Sequence, residues 1–472
     1  MSITTTINGG FQTLEYQKFI EINNSTFPPV TAYWENDLSS KTQVFPKTAI
    51  LTYDTSVSEL NSQPFGDNAA VDAFGRLRVS SPITTFSLAQ LYSRRTNIFD
   101  EVINGSGSIS FSQANAGTTL STTVSGDYVI RQLKQNTGYK PGKSQQYFFT
   151  GILSGGDDID MKYGYFTSNT IAPYNQYTGF YFQNNNNVIS VNIGNVNGNQ
   201  SSLSVPQSAW NIDKLDGTGN SGYTLDVSKV QIFTIDYQWL GAGRVRFGFD
   251  LNGTIVYCHE VFHANTIEST YLTNPNLPLR VEIRQTGATP ASLLHMSATV
   301  NYEGSNTGKH AGELKSIDTM DYTGLNAPLS ISVGTECSLM QLSLSSIMLQ
   351  GYLELQSIGV LNTDPNIDSR IRLILDPSHT GTVSLTSVPE SALAWGIGGS
   401  GMQYISGGNV LSTRYISKDN ATSIDTIDDG LFTLGAYIGG DSTVLHVMVA
   451  PLKSGGAGSG AYYASFHWHE NE

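Results

Sequence analysis

Apolar and polar residues along this chain form short alternating runs rather than helical stripes. In LLHMSATVNY, for example, Leu294, Met296, Ala298, Val300 and Tyr302 alternate with polar side chains. Similar runs recur along the chain and are broken by Gly, Asn, Asp and Ser, whereas long apolar heptads are absent. Alternation with a period of two is typical of strands with one buried face. The sequence therefore predicts an all-β protein built from antiparallel β-sandwiches.

The stretch RVRFGFDLNGTIVYCHEVF contains a predicted two-residue hairpin. Asn252-Gly253 favours a type I′ turn, because both central positions of that turn need a positive φ. A loop closed at this point sets the register of the two strands. The predicted pairs are Leu251 with Thr254, Phe249 with Val256, Phe247 with Cys258, and Arg246 with His259.

The second strand of this hairpin carries HEVFH, which matches the H-E-x-x-H pattern of zinc proteases. That pattern works on a helix, where two histidines four residues apart can share one Zn²⁺. On a strand, His259 and His263 stand about 13 Å apart at ~3.3 Å per residue, which is too far for one ion. The hairpin pattern favours a strand with a surface histidine. The alternative is a zinc site with Glu282 as third ligand.

The chain divides into three predicted regions. Residues 1–85 are punctuated by proline, as in FPPV, VFPKT and SQPF, which favours an extended N-terminal arm that docks on a neighbour. Residues 86–308 carry a dense series of strand patterns and predict the central β-sandwich domain. The pattern restarts after YEGSNTGKHAG, so residues 309–472 predict a second, smaller β domain.

Charge and cysteine content narrow the class of protein. Of the 472 residues only 14% are charged, against about 25% in average soluble proteins, and the net charge is −14. An acidic, uncharged-polar surface predicts no nucleic-acid partner. No run approaches 18 apolar residues, so we expect no insertion into a membrane. MSITTTINGG lacks the pattern of a signal peptide, so we expect assembly in a cytoplasm. Cys258 and Cys337 could form one disulfide, but two free thiols fit a reducing compartment better.

Two sets of charged residues are candidates for contacts or metal binding. The interface candidates are Arg76, Arg78, Arg94 and Arg95, because arginine favours bidentate contacts with an acidic neighbour; the alternative is a solvated strand face. The metal candidates are Asp157, Asp158 and Asp160 in GGDDIDMKYG, and His467 and His469 in FHWHE. The aspartates depart from the spacing of a Ca²⁺ loop, so a polar turn is favoured. The histidines are expected on one strand face, with Trp468 pointing inward.

Tyrosine-rich segments give the candidates for glycan or receptor contact. MKYGYF and PYNQYTGFYFQNNNN combine aromatic rings with asparagine, a combination that serves sugar stacking and protein anchoring. The alternative is ordinary core packing. The candidate residues are Tyr163, Tyr165, Tyr174, Tyr177 and Tyr181.

Two passages resemble virion structural proteins of tailed bacteriophages. They are VDAFGRLRVSSPITTF and the block from WNIDKLDGTGNSGY to NPNLPLRVEIRQTG, residues 71–86 and 210–287. The resemblance covers about half of the chain and implies a surface or appendage component of a particle. The strand series from VQIFTIDYQW to TIVYCHEVF also looks like the core of a jelly-roll or concanavalin-like sandwich, which by itself implies no sugar binding.

These observations predict a non-enzymatic structural protein of a tail, baseplate or fibre, acting as a homo-oligomer among other virion proteins, with a trimer as one arrangement. A capsid-surface or head-fibre protein and a glycan-binding adhesin are the alternatives. The sequence shows no P-loop, G-x-G-x-x-G or G-x-S-x-G pattern, so we expect no cofactor. A polysaccharide depolymerase remains a further alternative, because two carboxylates need only approach in space.

Overall fold

The computed structural model describes residues 71–470 except 74–75, 77, 79–80, 197, 304–311, 321–326, 426–433 and 453–456, and the backbone of four strands before them. The chain forms two units, Met1–Val71 and Asp72–Glu472. Those first four strands are β1 (Ser2–Ile7), β2 (Gly10–Glu15), β3 (Tyr33–Trp34) and β4 (Gln43–Val44). β1 pairs with β2 and β3 with β4, both antiparallel.

The second unit begins with a large β-sandwich, which confirms the predicted antiparallel fold. Its strands are β5 (Ile83–Leu88), β6 (Phe99–Asn104), β7 (Ser108–Ser112), β8 (Gly117–Thr122), β9 (Tyr128–Leu133), β10 (Gln145–Ile152), β11 (Ile159–Ser168), β12 (Tyr177–Asn185), β13 (Val188–Asn195), β14 (Leu203–Pro206), β15 (Gln231–Tyr237), β16 (Val245–Leu251), β17 (Thr254–Val261), β18 (Leu279–Gln285) and β19 (Ala291–Tyr302). The predicted boundary at residue 85 falls inside β5.

Two antiparallel sheets form this first sandwich. The eight-stranded sheet has the order β17-β16-β15-β10-β19-β8-β7, and β5 also pairs with β19. The seven-stranded sheet has the order β14-β13-β12-β11-β18-β9-β6. Alternate residues of both sheets point inward and form one aromatic-rich core, with Tyr147 and Phe233 from one sheet and Tyr165 and Phe182 from the other. Tyr147 and Tyr165 stack across the sheets with ring centroids 3.7 Å apart.

The hairpin of β16 and β17 forms as predicted near its turn and differs further along. Leu251 pairs with Thr254 and Phe249 with Val256, which confirms two predicted pairs. The next two are wrong, because a β-bulge after Gly248–Tyr257 shifts the register. Phe247 consequently pairs with His259, and Arg246 pairs with Glu260. A bulge adds one residue to one strand, which a turn-based register cannot anticipate.

A second sandwich follows. Its strands are β20 (Glu313–Asp318), β21 (Leu329–Ser332), β22 (Cys337–Leu344), β23 (Leu353–Asn362), β24 (Asp368–Leu375), β25 (Ser378–His379), β26 (Thr386–Ser387), β27 (Leu393–Ile397), β28 (Tyr404–Ser406), β29 (Asn409–Ile416), β30 (Asn420–Asp425), β31 (Val444–Leu452) and β32 (Ser459–Glu470). A five-stranded sheet runs β20-β32-β23-β30 with β21 on β32, and a six-stranded sheet runs β26-β27-β22-β31-β24-β29. β25 and β28 form a separate pair.

Each sandwich has its own hydrophobic core, and each core holds one cysteine. Cys258 is buried in the first core and Cys337 in the second. Both are free thiols, which confirms the prediction against a disulfide. Trp468 is fully buried in the second core, as its position between two outward histidines predicts. In the described part of the chain no helix is long and apolar enough to cross a membrane.

The two sandwiches meet along a hydrogen-bonded seam. The backbone N–H of Ala436 donates to the carbonyl of Lys134 at 2.7 Å, and Gln135 and Gly435 form a β-bridge. The N–H of Ile438 donates to a carboxylate oxygen of Asp100 at 2.8 Å. Buried backbone N–H and C=O groups are normally paired, and at this seam each sandwich supplies partners to the other.

Tyr352 of the second sandwich packs directly on Gly138 of the first. A methyl group at Gly138 would overlap the ring carbons of Tyr352, so glycine is required for this approach. Lys140 forms an ion pair with Glu354 beside the same contact. The seam is therefore close-packed as well as hydrogen-bonded.

Candidate functional site

The HEVFH segment is a strand and the start of a loop, not a helix. His259 and Glu260 lie on β17, and His263 follows its end. Both histidines are buried, which corrects the prediction of a surface histidine. The Nδ1 atom of His259 accepts a hydrogen bond from the backbone N–H of Asn211 at 3.2 Å, and Nδ1 of His263 donates to the carbonyl of Gly243 at 2.7 Å. Burial lowers the pKa of both imidazoles.

The described residues contain no group of three or more His, Cys, Asp or Glu side chains placed to hold a metal ion. Asp160 contacts Lys162 and accepts a hydrogen bond from Gln183 at 2.7 Å. Asp157 accepts one from Asn187 at 2.9 Å. Asp158 is exposed and has a positive φ of 62°, as in a tight turn. Asp157 and Asp160 therefore have separate partners, and Asp158 lies in an exposed turn.

The two C-terminal histidines lie on the outer face of the five-stranded sheet and are half-buried. His467 lies between Ser316 and Ser357 on the neighbouring strands, and His469 lies between Leu314 and Glu354. Their shared face agrees with the sequence pattern. Among the described strand partners no carboxylate lies opposite His467, and the carboxylate beside His469 is paired with Lys140.

The four candidate interface arginines differ in their surroundings. Arg76 is half exposed and pairs with Asp72 at 2.8 Å. Arg94 pairs with Glu101 at 3.2 Å. Arg95 is exposed and has a positive φ of 55°. Arg78 is mostly buried and pairs within its own chain, so its guanidinium is not a solvated strand face.

Arg78 belongs to a buried cluster around Asp236 on the outer face of the eight-stranded sheet. Asp236 is fully buried and accepts hydrogen bonds from Arg78 at 2.6 Å and from Tyr257 at 2.9 Å, and it also pairs with Arg246. Ser144 donates a further bond at 2.6 Å. Burial alone would raise the pKa of Asp236, but Arg246 and Arg78 outweigh it and lower the pKa below its ordinary value.

Residues of this cluster and its neighbour Arg244 bind the first residues of the second unit, Asp72 and Ala73. Arg244 donates to the backbone carbonyls of Ala73 at 3.1 Å and Asp72 at 3.2 Å. The N–H of Ala73 donates to the Ser144 hydroxyl at 3.1 Å. Together with the Arg78–Asp236 pair, these bonds bind Asp72, Ala73 and Arg78 to the sandwich. Sequence reasoning identified the arginine but missed Asp236, because the partner lies 158 residues away.

The candidate glycan-contact tyrosines separate into two groups. Tyr163 and Tyr165 are fully buried in the first core. This corrects the prediction for those two, because alternation on β11 turns their rings inward and leaves no face for a ligand. Tyr181 is also largely buried, whereas Tyr174 and Tyr177 are half-buried on the outer side of the seven-stranded sheet.

Tyr177 belongs to a second buried charge network, centred on Glu282 of β18. The hydroxyl of Tyr177 donates to Glu282 at 2.5 Å. The carboxylate of Glu282 lies 2.8 Å from Arg280, 3.0 Å from Arg284 and 3.6 Å from Lys162. Burial would raise the pKa of Glu282, but these three cations together lower it far below its ordinary value. A carboxylate held in this state cannot serve as the proton donor that glycosidic hydrolysis needs.

A large cleft lies between the two sandwiches, beside the seam. Its volume is about 980 Å³, at the upper end of the range for small-molecule sites. The first sandwich contributes residues 167–171 and 273–276 together with Trp239, and the second contributes residues 346–352 and 436–438. Most of these side chains are amides, hydroxyls or aromatic rings. The sequence could not predict this cleft, because its walls come from two separately folded cores.

Comparisons with known proteins find a fold and no family. No family profile matches the chain, and no curated protein matches it. Among solved structures, the carbohydrate recognition domain of Emp47p is similar at 15% identity and a TM-score of 0.31, covering 47% of this chain and 98% of that one. A legume lectin-like domain from Entamoeba histolytica is similar at 16% identity and a TM-score of 0.30, covering 47% of this chain and 98% of that one. A β-glucanase from Bacillus licheniformis is similar at 13% identity and a TM-score of 0.30, covering 47% of this chain and 98% of that one. Such similarity concerns the β-sandwich and carries no argument about ligand or activity.

Proposed function

We propose that this chain is a structural, non-enzymatic protein on the surface of a tailed-bacteriophage particle, where it assembles as a homo-oligomer. The observation that supports the proposal is the division of the chain at Val71. A separate N-terminal unit precedes one compact body of two sandwiches. The N-terminal unit docks on other virion proteins, and the body projects from the particle. The resemblance of VDAFGRLRVSSPITTF to virion proteins supports the same assignment.

The first described residues after the division at Val71 are bound to the first sandwich. Asp72 and Ala73 are bound by the Arg244 carbonyl contacts, and Arg78 is bound by its pair with Asp236. Buried charge-assisted hydrogen bonds are stronger than exposed ones.

Deletion of residues 1–70 tests the docking role. The truncated chain keeps both cores and the Asp236 cluster, so it should fold with a circular dichroism spectrum typical of β-sheet. It should fail to enter particles when it is produced beside a phage that lacks the wild-type gene, whereas the full-length chain with the same tag should enter them. Normal incorporation of the truncated chain would contradict the docking role.

Host attachment through a surface glycan is the second candidate function of the same protein. The observation that favours it is the cleft between the sandwiches, whose lining combines aromatic rings with amide and hydroxyl groups. A glycan array probed with the full-length protein tests it. Binding to a restricted set of saccharides would support attachment. An array without any bound saccharide would contradict attachment and leave the architectural proposal unchanged.

A further inference from the structure

We infer that a pair of histidines on the second sandwich, together with a neighbouring methionine, binds one copper(I) ion. The pair is His379, on β25, and His446, on β31. Their ring centroids lie 4.8 Å apart, and the ring planes are inclined by 46°. Neither histidine lines the cleft or belongs to the networks of Asp236 and Glu282. The inference is therefore independent of the functions proposed above.

The fold brings the two rings together on the outer side of the six-stranded sheet. Leu445 and Val447 point into the second core, so His446 between them points outward. The pair of β25 and β28 places His379 against that ring. His446 is only 1% exposed, whereas His379 is half-buried, so solvent reaches the pair at His379.

Hydrogen bonds set the tautomer of both rings. The Nδ1 atom of His379 lies 3.0 Å from the carbonyl oxygen of Thr380, and because a carbonyl only accepts, this nitrogen carries the proton. The Nδ1 atom of His446 lies 3.2 Å from the hydroxyl of Ser338. That hydroxyl donates its own proton to the carbonyl of Met340 at 3.2 Å, so it accepts from His446.

Each ring therefore keeps a lone pair on Nε2. Among the hydrogen bonds of the described residues, none uses Nε2 of His379 or His446. A histidine that binds a metal usually donates its other ring N–H to an oxygen, as both do here. A metal–nitrogen bond of about 2.0–2.1 Å plus a ring radius of about 1.1 Å places each centroid about 3.2 Å from the ion. Two rings at a tetrahedral angle then have centroids about 5 Å apart, close to the observed 4.8 Å.

Met402 is the third ligand and decides the metal. Its Sδ atom lies 3.8 Å from Nε2 of Gln341, and the same amide nitrogen lies 3.4 Å from Nδ1 of His446. The Gln341 contact is longer than the Ser338 contact, so Ser338 sets the tautomer. Met402 is buried, and its carbonyl accepts from the N–H of Ser338 at 3.0 Å. A thioether is a soft ligand that selects copper(I), and imidazole suits copper as well.

Anaerobic titration of Cu⁺ into the metal-free full-length protein, with bicinchoninate as competing chelator, measures stoichiometry and affinity. His379→Ala and Met402→Leu each remove one ligand, and Ser338→Ala removes the hydrogen-bond partner of His446. His467→Ala is the matched control, because His467 is also a half-buried histidine on an outer sheet face of the second sandwich. The urea midpoint of each variant separates loss of binding from loss of folding.

We expect one Cu⁺ ion per chain. His379→Ala and Met402→Leu should each raise the Kd by at least about 10-fold, and Ser338→Ala should raise it by roughly 10- to 100-fold, the usual effect of removing the partner of a ligating histidine. His467→Ala should bind like wild type. The X-ray absorption spectrum of the Cu⁺-loaded protein should show imidazole nitrogens and one sulfur, and the sulfur should disappear in Met402→Leu.

Three results would overturn the inference. Wild-type protein that takes no Cu⁺ from bicinchoninate has no such site. Unchanged affinity in a folded His379→Ala variant, or an equal loss in His467→Ala, would place the ion elsewhere. A spectrum without sulfur, or with sulfur that persists in Met402→Leu, would remove Met402 as a ligand and with it the choice of copper(I).

Discussion

Substitution of Asp236 by asparagine should destabilise the first sandwich strongly. The change keeps the size of the side chain and one acceptor oxygen but removes the negative charge. Arg246 has a side chain only 1% exposed and Arg78 one only 14% exposed, and both contact this carboxylate. Both arginines lose the charge of this carboxylate, and Arg78 retains Glu303 at 3.3 Å.

The expected magnitude follows from the cost of removing one partner of a buried ion pair, about 3–5 kcal/mol. Because the introduced amide would still accept one hydrogen bond, and because Glu303 remains, we expect the lower end, about 3 kcal/mol. That is a large part of the ~5–15 kcal/mol by which a domain is usually stable. Asp441→Asn is the control, since Asp441 is exposed, and it should change the free energy of unfolding by less than about 0.5 kcal/mol.

Urea denaturation of wild type and both variants measures the effect. The pKa of Asp236 is lowered in the folded state, so its contribution is present above the unfolded pKa of about 3.9 and is lost as pH falls through the folded value. The difference between wild type and Asp236→Asn should therefore be complete at about pH 7 and shrink below about pH 4. A difference under about 1 kcal/mol at neutral pH would refute the view that this cluster holds the entering segment to the sandwich.

Three further predictions concern the rest of the body. Glu282→Gln should lower the free energy of unfolding by about 3 kcal/mol, because it leaves buried cations without their carboxylate; an unchanged urea midpoint would contradict this. Gly138→Ala should push the ring of Tyr352 away and weaken the seam, so that one calorimetric transition separates into two; a single transition at the wild-type temperature would show that the seam tolerates the methyl group. Burial raises the pKa of the thiols of Cys258 and Cys337, so neither should react with a thiol reagent at about pH 8 until denaturant is added, and fast reaction of the native protein would show that one is accessible.

Local pattern predicted the fold well where one strand face is buried against a core. The Asn252-Gly253 turn gave the correct hairpin, and the alternation in β19 gave the correct strand. The predicted buried face of β19 is correct for Ala298, Val300 and Tyr302 and wrong before them. A register shift between His295 and Ala298 buries Leu293 and His295 instead of Leu294 and Met296. Alternation also places His467 and His469 outward and Trp468 inward. The bulge in β17 broke the predicted pairing, since an inserted residue depends on the neighbouring strand and leaves little trace in composition.

Side-chain contacts in the candidate sites were predicted less well than the strands, because the residues that form them lie far apart along the chain. Arg78 was a sound candidate for a charged contact, but its partners Asp236 and Glu303 lie 158 and 225 residues away. Tyr163 and Tyr165 were candidates for ligand contact because tyrosine serves both cores and binding surfaces, and composition does not distinguish the two uses. The cleft exists only where two folded sandwiches meet, so the pattern of no single segment predicts it.

Labelling of intact particles from the source with gold-conjugated antibody, viewed by electron microscopy, tests the central proposal most directly. The antibody must first be shown to recognise the native protein. The account predicts gold on the outer surface of the particle, on the tail, its appendages or the head. Particles that carry no gold, and whose denaturing gels contain no band that the antibody recognises, would contradict a role in the virion.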